Sequence, residues 1–213
     1  MCPEKTEHEP CSGTGWVHVP GSDAVKQCEC LKERLARQRT RELLDQFKQF
    51  AEADLNELQP RDLLQTCALA TMRKNPGGSY LITSAKYSCG KTQLLVSQCR
   101  HMALAGESVA IRTSRQLVKE LQRAEIDHEY RSEVLYAANT AERFHLFWDD
   151  CEKVGTASDF RQEAIFHLVD TIYRRKLSIS ITSNLELDQL IKSGRMQSAV
   201  ARRIDDMCTK IRL

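Results

Sequence analysis

No run of about 18 apolar residues occurs in this chain, which excludes a membrane-spanning helix. Nor does one charge dominate: Lys+Arg is 31 and Asp+Glu is 29, a net charge of +2. That excludes a chain whose overall charge is built for nucleic acid, although a local basic patch stays open. The opening MCPEKTEHEP is polar and acidic and lacks the apolar stretch of a secretory signal. Internal repeats and low-complexity segments are also missing. What is present is an ordinary globular balance, 41% hydrophobic and 28% charged over 213 residues, with nine cysteines. Without an export signal, so many thiols point to a reducing, cytoplasmic setting. There they serve as metal ligands or small buried hydrophobes rather than disulfides.

The cysteines are unevenly spread. Cys2, Cys11, Cys28 and Cys30 crowd the first 30 residues, together with His8 and His18. This stretch has no helical period and is too polar for a core of its own. His8-x2-Cys11 and Cys28-x-Cys30 make two short ligand pairs, the number and type of donors that close a structural zinc tetrahedron. Cys2 is the alternative to His8, and a reduced, metal-free tail is the bland reading. Residues 31–58 contain no Gly or Pro. Leu35, Leu43, Leu44, Phe47, Phe50 and Leu55 recur there at helical spacing, which predicts one exposed amphipathic helix. Its basic residues Lys32, Arg34, Arg37, Arg39 and Arg41 read by default as a solvated face. A second helical stretch begins near Pro60 and ends at Asn75-Pro76-Gly77-Gly78.

From residue 79 strands and helices alternate. Strands are expected at 79–84, 108–113, 144–148 and 177–182. Helices are expected from Lys91 to about Ala105, over 114–126 and over 160–174. That alternation predicts an α/β fold, a parallel sheet covered on both faces.

Between the first of these strands and its helix, residues 85–92 read AKYSCGKT. This fits the phosphate-binding loop template except at Ala85, where a methyl fits if φ stays negative. Backbone N–H groups of such a loop meet phosphate oxygens, Gly90 permits close approach, and Lys91 meets the β/γ-phosphates. The Thr92 hydroxyl meets Mg²⁺. The strand FHLFW ends in Asp149 and Asp150, at the edge where open α/β sheets bind ligands. Asp149 is then the metal-side acid and Asp150 the base or water-orienting group. His145 within that strand reads as a satisfied core histidine. Asn184, after the fourth strand, is either a water- or phosphate-facing amide or a plain turn. Arg195, Arg202 and Arg203 are either a solvated helix face or a finger reaching a neighbour's phosphate.

In order, SAKYSCGKTQLL, FHLFWDDCEKVG, FRQEAIFHLVDTIYRRKL, SISITSNLELDQL and SAVARRIDDMC resemble the blocks of AAA+ ATPases. They are most similar to the DnaC/DnaI-like helicase loaders and their IstB-type relatives. The resemblance implies an AAA+ P-loop NTPase preceded by a zinc knuckle and a linking helix. It divides the chain into a zinc-binding module at 1–30, the linking helix at 31–59 and the ATPase domain at 60–213. It implies ATP and Mg²⁺ held by Ser88, Cys89, Gly90, Lys91, Thr92, Gln93 and Asp149. Hydrolysis falls to Asp150, Asn184 and a trans-acting Arg203, with Arg202 the near alternative. Cys11-Ser12-Gly13-Thr14-Gly15-Trp16 looks like the knuckle at the front of DnaI-type loaders, which supports His8, Cys11, Cys28 and Cys30 as zinc ligands. The partners implied are a replicative helicase, single-stranded DNA held weakly, and further copies of the chain. A transposase helper or a phage replication ATPase is the alternative. Two departures from the family pattern stand out. Ala85 and Ser88 replace glycines of the loop, and no lid domain is visible after the arginine block, which leaves open whether the last strand of the sheet is missing.

Overall fold

The computed structural model describes residue 11 and residues 14–127, 129–154 and 159–213. A small hairpin comes first, β1 (Trp16–His18) antiparallel to β2 (Val25–Gln27). Cys28 then serves as N-cap of α1 (Glu29–Leu43). A 3-10 segment (Asp45–Phe50) leads to α2 (Leu63–Lys74). The alternating part follows as β3 (Tyr80–Thr83), α3 (Lys91–Leu104), β4 (Val109–Thr113), α4 (Ser114–Ile126) and α5 (Glu133–Thr140). Next come β5 (His145–Asp149), a 3-10 turn (Cys151–Val154), α6 (Asp159–Arg174) and β6 (Ser178–Ser183). The chain closes with α7 (Leu187–Lys192), α8 (Ser198–Met207) and β7 (Thr209–Arg212).

The four expected strands form, each shifted by a residue or so. They join β7 in a parallel five-stranded sheet of order β4-β5-β6-β3-β7. Every residue of β3 and β5 is buried, as short apolar runs in a doubly covered sheet require. One face packs Leu146, Trp148, Ile179 and Ile181 against Leu117, Leu168, Ile172, Val200 and Ile204 of α4, α6 and α8. The other face is covered in two patches. Ile82 and Ile211 meet Leu69, Met72 and Leu94, while Ile111 and Phe147 meet Leu44, Phe47, Leu95 and Cys99.

The linking helix is shorter than the periodicity over 31–58 predicts. A straight helix of that span would run about 42 Å. Instead α1 stops at Leu43, and Phe47 has a non-helical φ of −113° and ψ of 34°. The reason is where the apolar residues go. Leu44 and Phe47 sink into the patch beside β4 and β5, whereas Leu55 joins the patch beside β3. One rigid rod cannot serve both. Lys32, Arg37, Arg39 and Arg41 stay on the exposed side. Of the later cysteines, Cys99, Cys151 and Cys208 are buried as expected, but Cys67 is exposed.

The last strand is present. β7 lies beside β3, with Ile82 opposite Ile211 and Thr83 opposite Arg212. No helix among the described residues is long and apolar enough to cross a membrane.

His145 is a core residue, as the sequence suggests, but it is only half satisfied: its Nδ1 is buried with no hydrogen-bond partner among the described residues. Its Nε2 lies 2.8 Å from Ser180 Oγ and its ring stacks on Phe147 with centroids 4.2 Å apart. Burial holds its pKa down to about 3, from 6.5. Below pH 6.5 the unfolded chain therefore takes up a proton that the folded chain refuses. This stability is complete above pH 6.5 and is lost as pH falls toward 3. Urea unfolding at pH 7 and pH 5 is expected to show it: His145→Gln should shrink the loss of stability between the two by about 2 kcal/mol. An unchanged loss would mean that the histidine is not buried neutral.

Candidate functional site

The loop of residues 84–90 leaves β3 and turns into α3 through two left-handed residues, Ser88 (φ 56°) and Gly90 (φ 92°). Ser88 thus adopts the conformation for which glycine is the usual choice, at an expected cost of about 1–2 kcal/mol. Ala85 is not among the positive-φ residues, so its methyl fits. The loop is braced from outside by the start of α2. Asp62 caps that helix by accepting from Gln65 N at 2.8 Å. Gln65 Nε2 then donates to Cys89 O at 2.7 Å. Arg61 reaches Ser88 O at 3.4 Å and Gln93 Oε1 at 3.5 Å. This brace has no sequence motif, so residue patterns alone miss it.

Inside the loop the Lys91 ammonium is buried. It donates to Lys86 O at 3.1 Å and Ser84 O at 3.3 Å, and lies 3.5 Å from Cys89 Sγ. The next residue makes the next contact: Thr92 Oγ1 donates to Asp149 Oδ1 at 3.0 Å. The same oxygen accepts from Thr182 Oγ1 at 2.7 Å. Burial, reinforced by the nearby charge of Asp150, pushes the Asp149 pKa up, and the two hydroxyls pull it partly back. The sequence-predicted pair Thr92 and Asp149 is therefore brought together. A hydroxyl and a carboxylate oxygen side by side are the hard donors that Mg²⁺ takes.

Asp150 has φ 55°. Its backbone is pinned on both sides, N–H donating to Thr182 Oγ1 at 2.8 Å and C=O accepting from Ser114 Oγ at 2.6 Å. Its carboxylate pairs with the exposed Lys153. Asn184 does not touch either aspartate in this arrangement. Its side-chain amide and its backbone N–H both go to the Glu152 carboxylate.

The two arginines of α8 part company. Arg203 donates through Nε to Asp170 Oδ1 at 2.8 Å and through Nη1 to Ala199 O at 3.0 Å, with Nη2 2.6 Å from the same Asp170 oxygen. Its guanidinium also lies over the Phe166 ring, 4.7 Å from the centroid. Arg202 is exposed and has no hydrogen bond or ion pair among the described residues. Arg195, the third candidate, donates to Glu152 O at 3.1 Å.

At the front of the chain, the sulfurs of Cys11, Cys28 and Cys30 all lie within 4.8 Å of one another. Cys11 and Cys28 are buried although the hairpin between them exposes Trp16 and Val25. Convergent thiols at such spacing suit a closed sulfur-rich metal site. His8, the expected fourth ligand, and Cys2, its alternative, lie outside the described residues.

No protein-family model and no curated protein matches this sequence. Solved structures match by shape. The crystal structure of the DnaC helicase loader aligns with a TM-score of 0.61 at 23% identity, over 78% of this chain and 99% of that one. The crystal structure of DnaI aligns with a TM-score of 0.58 at 21% identity, over 81% and 89%. The chain has the DnaC/DnaI-like AAA+ fold. AMPPCP-bound DnaA from Aquifex aeolicus shares the AAA+ architecture, with a TM-score of 0.61 at 15% identity over 75% of this chain. This chain spans about half of that DnaA, 50%.

The loop makes one local prediction. A Cβ on Gly90 would lie 2.7 Å from Gln65 Nε2 and would sit at a left-handed φ. Gly90→Ala is expected to break the Gln65–Cys89 bond and to cost about 1–2 kcal/mol in denaturant unfolding. A melt identical to wild type would place the loop in another conformation.

Proposed function

We propose that this chain is an ATP-dependent helicase loader that binds and hydrolyses ATP and helps place a replicative DNA helicase on single-stranded DNA. The observation that carries the ATPase reading is the meeting of Thr92, Asp149 and Thr182 beside the Lys91 loop. A loop-helix hydroxyl and a buried acid, joined through the strand between them, form a metal-and-phosphate site and serve no evident purpose as a mere turn. In this reading Ser88, Cys89, Gly90 and Gln93 shape the loop around the phosphates, and Lys91 moves its ammonium from backbone carbonyls to phosphate oxygens. Thr92 and Asp149 hold Mg²⁺, which neutralises charge on the phosphates when bound. Asp150 orients the attacking water and accepts its proton. The exposed Lys153 pair is worth no more than about 1 kcal/mol and yields readily. Asn184 steadies the water or the phosphate on the other side.

The missing cation comes from a second copy. The resemblance prefers Arg203, but its bonds to Asp170 support an anchoring role, and Arg202 is the residue free to reach out. Self-association through α8 follows. The exposed basic residues of α1 supply a weak DNA contact, and the Cys11, Cys28 and Cys30 cluster with His8 holds Zn²⁺ in a module that grips the partner helicase. The setting is cytoplasmic.

Four measurements test this reading. Affinity capture from the native host with ATP present is expected to bring down a replicative helicase, whereas a transposase in its place would support the IstB-type alternative. Arg202→Ala is expected to bind ATP normally and to lose at least about 10³-fold in hydrolysis. Arg203→Ala should instead lower stability by about 1–3 kcal/mol, since it strips a partner from the buried Asp170. Wild-type turnover in Arg202→Ala would return the finger to Arg203. Native mass spectrometry of the full chain should find one zinc per chain, lost in Cys28→Ser. A metal-free wild type would end the zinc assignment.

A further inference from the structure

Two groups of the hydrolysis site are gripped by the same short turn. Lys153 holds Asp150 and Glu152 holds Asn184. The two grips differ in kind. Lys153 is 63% exposed in its side chain, so its pair is adjustable. Glu152 is only 5% exposed and has no ion-pair partner within 4.0 Å among the described residues. A buried carboxylate without a cation is costly unless its oxygens are filled by hydrogen bonds. Here both oxygens are filled by one residue. Oε2 accepts from the Asn184 backbone N–H at 3.2 Å, and Oε1 accepts from the Asn184 side-chain amide. The main chain of Glu152 takes the next contact, accepting from Arg195 in the segment that leads to α8.

A free asparagine amide can rotate and flip, presenting either its oxygen or its nitrogen. The double grip removes that freedom. One N–H is committed to Glu152, and the backbone N–H on the same carboxylate fixes where the side chain starts. The other N–H and the oxygen of the amide are then presented in one orientation. We infer that Glu152 is a positioning residue for Asn184, setting the amide that meets the attacking water or the γ-phosphate. The inference rests on the ATPase reading above, but the contact itself can be tested without it. Glu152 touches no reacting atom in this scheme and acts only through Asn184.

The near-isosteric Glu152→Gln is the decisive variant. A carboxamide can accept from only one of the two Asn184 donors and turns an N–H toward the other. Glu152→Asp, shorter by one methylene, keeps the charge and reaches one donor. In nucleotide-free full chain, heteronuclear NMR should show the Asn184 backbone and side-chain amide signals shifting together in Glu152→Gln, and one of the two shifting less in Glu152→Asp. Unmoved Asn184 signals in both variants would overturn the contact. In the assembled ATPase, Glu152→Gln is expected to lower kcat roughly 10–100-fold, as loss of an orienting residue does, while the affinity for ATP stays within about twofold. The double variant with Asn184→Ala should be no slower than Asn184→Ala alone. Losses that multiply would show that Glu152 acts elsewhere and overturn the assignment. A wild-type chain that hydrolyses no ATP in any assembly sinks the ATPase reading and the catalytic purpose of the grip, and the Asn184 signals still decide the contact by themselves.

Discussion

The structure turns on one buried carboxylate. Strands β3 and β5 are not neighbours; β6 lies between them, which sets them about 9.5 Å apart. Asp149 bridges that gap by taking Thr92 from α3 and Thr182 from β6 on a single oxygen. A carboxylate in that position would be expensive if left bare, and burial does raise its pKa. The two hydroxyls offset the cost and fix the distance between phosphate loop and acid strand. Thr182 also holds the Asp150 N–H, so the left-handed turn after β5 depends on the same β6 residue. Strand order, loop placement and acid geometry are thus one constraint rather than three.

Much of this is legible in the sequence. Strands buried on both faces are written as apolar runs, and β3 to β6 lie where those runs fall. A phosphate loop is a local device whose spacing carries its shape, so Gly90, Lys91 and Thr92 could be placed from order alone. Elements whose reasons are not local escaped. The hairpin β1–β2 has exposed Trp16 and Val25 and no apolar alternation to announce it. β7 is an edge strand in which only Ile211 is buried, too little pattern to read. The bend after Leu43 exists because Leu44 and Leu55 serve different patches of core, and helical periodicity does not record which patch a leucine joins.

The site residues divide the same way. Glu152 looks in sequence like the third acid of a solvated turn, and only packing under β6 makes it a buried acceptor. The two arginines of α8 did carry a signal. Val200, Ala201 and Ile204 define the buried face, and at about 100° per residue Arg202 falls nearly opposite while Arg203 falls on its flank. A flank position meets the neighbouring helix, which is where Asp170 and Phe166 take it. Adjacent, chemically identical residues are separated by helix phase rather than by type.

That phase has a consequence for assembly. Arg203 holds one oxygen of the buried Asp170 through two nitrogens while Arg174 takes the other, so removing Arg203 strips one of two partners at a cost of about 1–3 kcal/mol. Arg202 has no such tie and is exposed. Within one chain, then, the loop has its lysine, its acids and its oriented amide, but no free arginine of α8 is held against it. In the proposed reading the cation that completes the charge must arrive from outside. The contact from Arg195 to the Glu152 carbonyl ties the chain leading to α8 to the turn that holds Asp150 and Asn184. In the proposed reading, a neighbour seated on α8 would bear on a segment tied to the turn that carries Asp150 and Glu152.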